Sequence, residues 1–135
     1  MLFRSYHAAP DARFLWRLNR SASIAKKGGL FDRAIESYAE VLSIDPANVT
    51  ALNGRGFLLE TKNKDLSAAL ADYQASARTG NDWAQNKLGW WYMTGTAVPR
   101  NFVRAREYLN QAVTQGNKSA RANLERLAAL EKASN

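Results

Sequence analysis

The chain has 135 residues, of which 46% are apolar and 23% charged, and it carries a net charge of +7. That length suits one folded unit, and the apolar content is that of an ordinary folded chain rather than a disordered one. Cysteine is absent, which excludes disulfides, Cys-based zinc sites and a thiol nucleophile.

Residues 1–10 read as a lead-in that holds the chain's single histidine, His7, as a solvent-exposed bystander. Pro10 and Asp11 suit a helix start, because Pro fits the first turn and an early acid complements the positive helix end. The first helix is predicted from about Asp11 to Lys27, with Phe14, Leu15, Leu18, Ala22 and Ala25 at spacings of three and four. Gly28-Gly29 ends it. The second helix runs from about Phe31 to Ser43 and turns Phe31, Ala34, Ile35, Tyr38, Val41 and Leu42 inward, until Asp45-Pro46 breaks the chain. A third helix covers about Ala47 to Lys62 and a fourth about Leu66 to Thr79. Gly54 and Gly56 sit inside the third, each costing ~1 kcal/mol relative to Ala, which points to close backbone approach. Asn81-Asp82 caps a fifth helix from about Trp83 to Met93, and the turn from Thr94 to Pro99 leads to Asn101 as N-cap of a sixth, about Phe102 to Gln115. Gly116-Asn117 precedes a seventh, about Lys118 to Lys132, whose polar outer face suits the end of a stack.

These helices repeat. Ala34, Ile35 and Tyr38 recur as Ala69, Leu70 and Tyr73, and again as Ala105 and Tyr108, at steps of 35 or 36 residues. Self-similarity at ~34 residues marks a helical solenoid, in which each helix pair buries its apolar face only by stacking on a neighbour. The segment 29–46 resembles the second half of a tetratricopeptide repeat, with Gly29, Phe31, Ala34, Tyr38, Val41 and Pro46 in order. Residues 49–79 resemble a second such repeat through Gly56, Ala69 and Tyr73, with Arg55 where a Leu is usual. Residues 83–117 resemble the slightly longer Sel-one-like repeat. Leu88-Gly89, Tyr92, Gly95, Val98, Phe102, Ala105, Tyr108, Ala112 and Gly116 carry that pattern, while Ala97 stands where a second Gly is common. Ala120 and Leu124 repeat Ala84 and Leu88, so the seventh helix reads as the first half of another unit. The resemblance implies an all-α, right-handed α-α superhelix of about seven helices. Its units would be 11–46, 47–80 and 81–117, with a capping helix at 118–133. It also implies an interaction module without chemistry of its own.

No catalytic constellation is visible. One His and no Cys leave a transition-metal site dependent on three or more carboxylates, and Asp32, Glu36 and Glu40 at spacings of four read as a solvated stripe. The turn at 95–99 lacks a phosphate-loop pattern, so no cofactor is expected.

The resemblance implies a concave groove lined by the first helix of each pair, and that groove is the expected site. Alignment of these helices brings Trp16, Asn19 and Ser23 beside Asn53, Phe57 and Glu60, then Asn86, Trp90 and Met93, with Arg126 on the seventh. Asn19, Asn53 and Asn86 would form a ladder of side chains that both donate and accept, suited to an extended peptide backbone. The plain alternative is that they satisfy local backbone groups. Trp91 and Tyr92 share a face with Leu88 and read as core. Trp90 points about 100° away and lies seven residues from Trp83, near Lys87, as an interface hot spot would. The partner-binding set is thus Asn19, Asn53, Phe57, Asn86, Lys87, Trp90 and Arg126. By resemblance to family members that clamp a terminal carboxylate, Arg20, Lys26 and Lys87 would add carboxylate contacts.

The expected function is non-enzymatic binding of a protein or peptide in that groove. One alternative is nucleic-acid binding through the basic ends, where residues 1–27 hold six basic residues against one acid. No Lys/Arg run exceeds two residues, so specific nucleic-acid recognition is not expected. Another alternative is an inhibitor or immunity factor for a partner enzyme. So few repeats make a homodimer or a neighbouring domain credible. No stretch approaches the ~20 apolar residues of a membrane span, and Arg4 cuts Leu2-Phe3 too early for a secretory signal. A cytoplasmic location is expected, with organelle import left open by the basic segment 1–27.

Overall fold

The computed structural model describes residues 11–134; the lead-in with His7 lies outside them. Among the described residues there are seven helices and no strand: α1 (Ala12–Lys27), α2 (Phe31–Ile44), α3 (Val49–Thr61), α4 (Leu66–Arg78), α5 (Asp82–Thr94), α6 (Phe102–Thr114) and α7 (Lys118–Ala133). The predicted boundaries hold within two residues. The largest shift is at α3, which begins at Val49 rather than Ala47 because Asn48 is its N-cap and accepts from the Ala51 amide. Side-chain N-caps recur at Asp11, Asp65, Asn81, Asn101 and Asn117. Each satisfies an amide that the first helical turn leaves without a partner.

Consecutive helices pack as antiparallel hairpins, α1 on α2, α3 on α4 and α5 on α6, and each hairpin stacks on the next. Alanines make the close approach possible. Ala22, Ala34 and Ala51 are fully buried in the first part of the core, Ala69 and Ala84 in the middle, and Ala105, Ala112 and Ala120 in the last. Larger side chains interlock between them: Tyr38 and Val41, then Tyr73 and Trp91, then Leu109 and Leu127. The core is therefore a row of three clusters, one for each stacking joint, as a repeat solenoid requires.

Three internal glycines give the expected close approaches. A Cβ on Gly54 would lie 2.4 Å from the Tyr38 ring, one on Gly56 2.8 Å from the Tyr73 ring, and one on Gly89 2.5 Å from Leu109. The α5–α6 turn shows why a second glycine suits its pattern. Gly95 caps α5 at φ 76° and Ala97 follows at φ 62°, both in the left-handed region that a Cβ disfavours.

Arg55 also finds its reason. Its guanidinium donates to both carboxylate oxygens of Asp72, at 2.9 and 2.8 Å, and Asp72 is only 4% exposed. An ion pair thus stands in the α3–α4 hairpin where the repeat pattern places a leucine. The hydrogen bonds to Asp72 raise the Arg55 pKa, keeping its charge in place.

Candidate functional site

The first helices α1, α3, α5 and α7 share one face, and its hollows run along their length. Upstream, a hollow of about 440 Å³ is lined by Asn19, Ser23 and Lys26 from α1, Asn53, Gly54 and Phe57 from α3, and Trp83 from α5. It continues through Asn19 and Ser23 into a second hollow flanked by Trp16 and Arg20. Downstream, Trp90 and Arg126 border two more, one toward Ser119 and Asn123 and one walled by Met93, Ala129 and Leu130.

Tryptophan placement follows helix periodicity. Trp83 and Trp90 are 41% and 37% exposed on one side of α5, while Trp91 is 1% exposed in the core beside a buried Tyr92. Trp91 and Trp83 both set ring edges against Tyr73, at 5.3 and 5.4 Å between centroids. Tyr73 in turn donates to Glu60 at 2.7 Å. Burial and that bond hold the Tyr73 phenol well above its ordinary range, so it stays a neutral donor.

Lys87 ties α5 to α3. Its Nζ lies 2.7 Å from Glu60 and within 6.0 Å of the Tyr73, Trp83 and Trp91 ring centres. Its charge is thereby neutralised inside the molecule, which corrects its expected place among the free carboxylate contacts. Arg20 and Lys26 do face the groove, and neither has a carboxylate within ion-pair distance among the described residues.

Of the expected asparagine ladder, Asn19 and Asn53 line the upstream hollow, and Asn86 lines none of the hollows described above. Asn19 donates through Nδ2 to Oδ1 of Asn48, the N-cap of α3, at 3.1 Å. Asn53 donates in the same way to Asn81, the N-cap of α5, at 3.1 Å. Each acceptor also receives its own helix's capping amide, which fixes Asn19 and Asn53 with their nitrogens toward the cap. Half of each side chain thus joins one first helix to the next, rather than meeting the local backbone groups of the plain alternative. The other half does not: Oδ1 of Asn19 and Oδ1 of Asn53 are buried and accept no hydrogen bond. Asn86 behaves otherwise, accepting from Asn123 of α7 at 2.9 Å.

Of the expected set, Asn19, Asn53 and Phe57 share the upstream hollow, Trp90 and Arg126 share the downstream ones, and Asn86 and Lys87 serve contacts between helices. Sequence reading missed the cap-to-ladder bonds, although Asn at 48, 81 and 117 was a visible capping signal. Among the described residues no cluster of His, Cys, Asp and Glu is placed to hold a metal ion. No described helix is long and apolar enough to cross a membrane.

Among the described residues, three stacked helical hairpins and a closing helix, with hollows along the first helix of each pair, define an α-helical repeat protein. Within it, residues 84–117 match the family model for the Sel1 repeat, so α5 and α6 form a repeat of that family. Sel1 repeats are generally protein–protein interaction modules. No curated protein matches the chain in sequence.

Proposed function

We propose that the chain is a non-enzymatic adaptor that holds an extended peptide segment of a protein partner along the face of α1, α3, α5 and α7. The division into units 11–46, 47–80 and 81–117 with a cap at 118–133 belongs to this reading. The observation that carries it is the row of exposed aromatic side chains, Trp16, Phe57, Trp83 and Trp90, along the face of the first helices. These rings offer rigid apolar contact at small entropic cost.

Affinity capture from the source organism, with the parent and a Trp90→Ala variant in parallel, tests this reading. A partner retained by the parent should be lost from the variant, with binding weakened by about 2 kcal/mol and the melting temperature nearly unchanged. Equal retention by both proteins, or a large loss of stability in the variant, would remove the groove from the partner's path.

A further inference from the structure

Four large aromatic side chains are exposed along the groove, and each has a cation over its ring. Arg20 lies 5.2 Å from the Trp16 ring centre, Lys26 6.0 Å from Phe57, Lys87 6.0 Å from Trp83 and Arg126 5.7 Å from Trp90. Similar pairs occur off the groove, such as Lys62 over Phe31. What sets the groove apart is its charge. Among the described residues, Arg20, Lys26 and Arg126 line its hollows, no aspartate or glutamate lines any of them, and Lys87 alone of the four cations has a carboxylate partner.

We infer that the groove selects an extended peptide in which acidic side chains alternate with aromatic or aliphatic ones. The inference rests on the peptide reading above and adds the chemistry of the partner. Each aromatic-and-cation pair offers an apolar surface and a positive charge a few ångströms apart, so an apolar side chain and an adjacent carboxylate are engaged together. A cation resting on a ring is also held in place before its partner arrives, which lowers the entropy lost on pairing.

The free cations do not converge on one point. Arg20 and Lys26 are on α1 and Arg126 is on α7, at opposite ends of the row of first helices. Stacked helices lie ~10 Å apart, so three steps span roughly 30 Å, or roughly nine residues of extended chain. That spread fits carboxylates distributed along a segment and not a single terminal carboxylate. Single-stranded nucleic acid would also meet cations and stacking surfaces. It is disfavoured because the groove's free cations among the described residues number three and sit at its two ends, too few for a strand that carries a phosphate at every nucleotide.

The test is selection of a displayed library of random peptides, roughly twelve residues long to span the groove, on the immobilised protein. A Lys26→Gln/Arg126→Gln variant with an unchanged melt serves as the control. Enriched peptides should carry acidic residues interleaved with aromatic or aliphatic ones. A synthetic peptide of the enriched sequence should bind the double variant about tenfold more weakly than the parent. Its counterpart with Gln for Glu and Asn for Asp should lose a similar factor on the parent. Enrichment of neutral or basic peptides that still depend on Trp90 would overturn the acidic preference and keep the peptide groove. Failure to enrich, or enrichment indifferent to Trp90→Ala, would overturn both. Displacement of the bound peptide by oligothymidylate at physiological salt, with tighter binding of the oligonucleotide, would overturn the peptide assignment in favour of single-stranded nucleic acid.

Discussion

The joints upstream and downstream of α5 solve the same packing problem with opposite polarity. At the α1–α3 and α3–α5 joints, an asparagine of the earlier helix donates to the N-cap of the later one, and its own oxygen is left without a donor. At the α5–α7 joint the later helix donates to the earlier: Asn123 bonds to Asn86, and the cap residue Asn117 bonds to Asp82 at 2.9 Å. Asn123 Oδ1 is satisfied too, by Arg126 at 3.2 Å. The downstream hollow beside Met93, Ala129 and Leu130 is correspondingly apolar. The direction of a few amide side chains therefore decides which asparagine oxygens are satisfied and which are buried without a donor.

The two halves also depend on different kinds of contact, and substitution should separate them. Arg55→Leu restores the residue common in this repeat but leaves Asp72 buried without a partner. It should cost about 3 kcal/mol, the penalty of breaking a buried ion pair, and adding Asp72→Leu should recover most of that. Thermal melts of the single and double variants check this. Recovery absent from the double variant would show that the hairpin needs the charges themselves.

Downstream the close contact is apolar. Gly89→Leu should cost about 2 kcal/mol by overpacking against Leu109 and the Ala105 carbonyl, which stand 2.5 and 3.3 Å from the added Cβ. Hydrogen exchange should show α6 and α7 losing protection before α1 and α2. A melt equal to the parent's would remove Gly89 from the repeat's small-residue position. In the same half, Ala97→Gly should stabilise by up to about 1 kcal/mol, since it relieves a left-handed alanine against a modest entropic cost. A lower melting temperature would show that the Ala97 methyl is useful where it sits.

The asparagines give the smallest effect and the sharpest contrast. Asn53→Ala removes one hydrogen bond and one unpartnered oxygen together, so its stability should change by no more than about 0.5 kcal/mol. Asn86→Ala strands the buried Asn123 amide and should cost about 1 kcal/mol. Equal losses in the two variants would erase the distinction between the joints.

The helices were legible in the sequence because their signals are local. Apolar spacing, asparagine caps and glycine stops each act within a few residues, and they place all seven elements within two residues of their ends. The exposed side of α5 was legible for the same reason, since helix periodicity alone separates Trp90 from Trp91. Contacts between repeats were not. Nothing in the local pattern shows that Arg55 meets Asp72, 17 residues away, or that Lys87 meets Glu60 in the preceding unit. The asparagine ladder was visible as a period, but its wiring depends on caps 28 and 29 residues downstream. Periodicity says which way a side chain points and leaves open which neighbour it finds there.

The distribution of tryptophan gives the molecule its own optical probe. Three of the four indoles, Trp16, Trp83 and Trp90, are solvent-exposed on the groove, and the fourth, Trp91, is 1% exposed. Collisional quenchers such as acrylamide should therefore reach most of the emission of the free protein and spare a blue-shifted remainder from Trp91. Because no indole among the four is exposed elsewhere, any occupant of the groove must change the quenchable fraction. Occupancy can thus be read from the unlabelled protein.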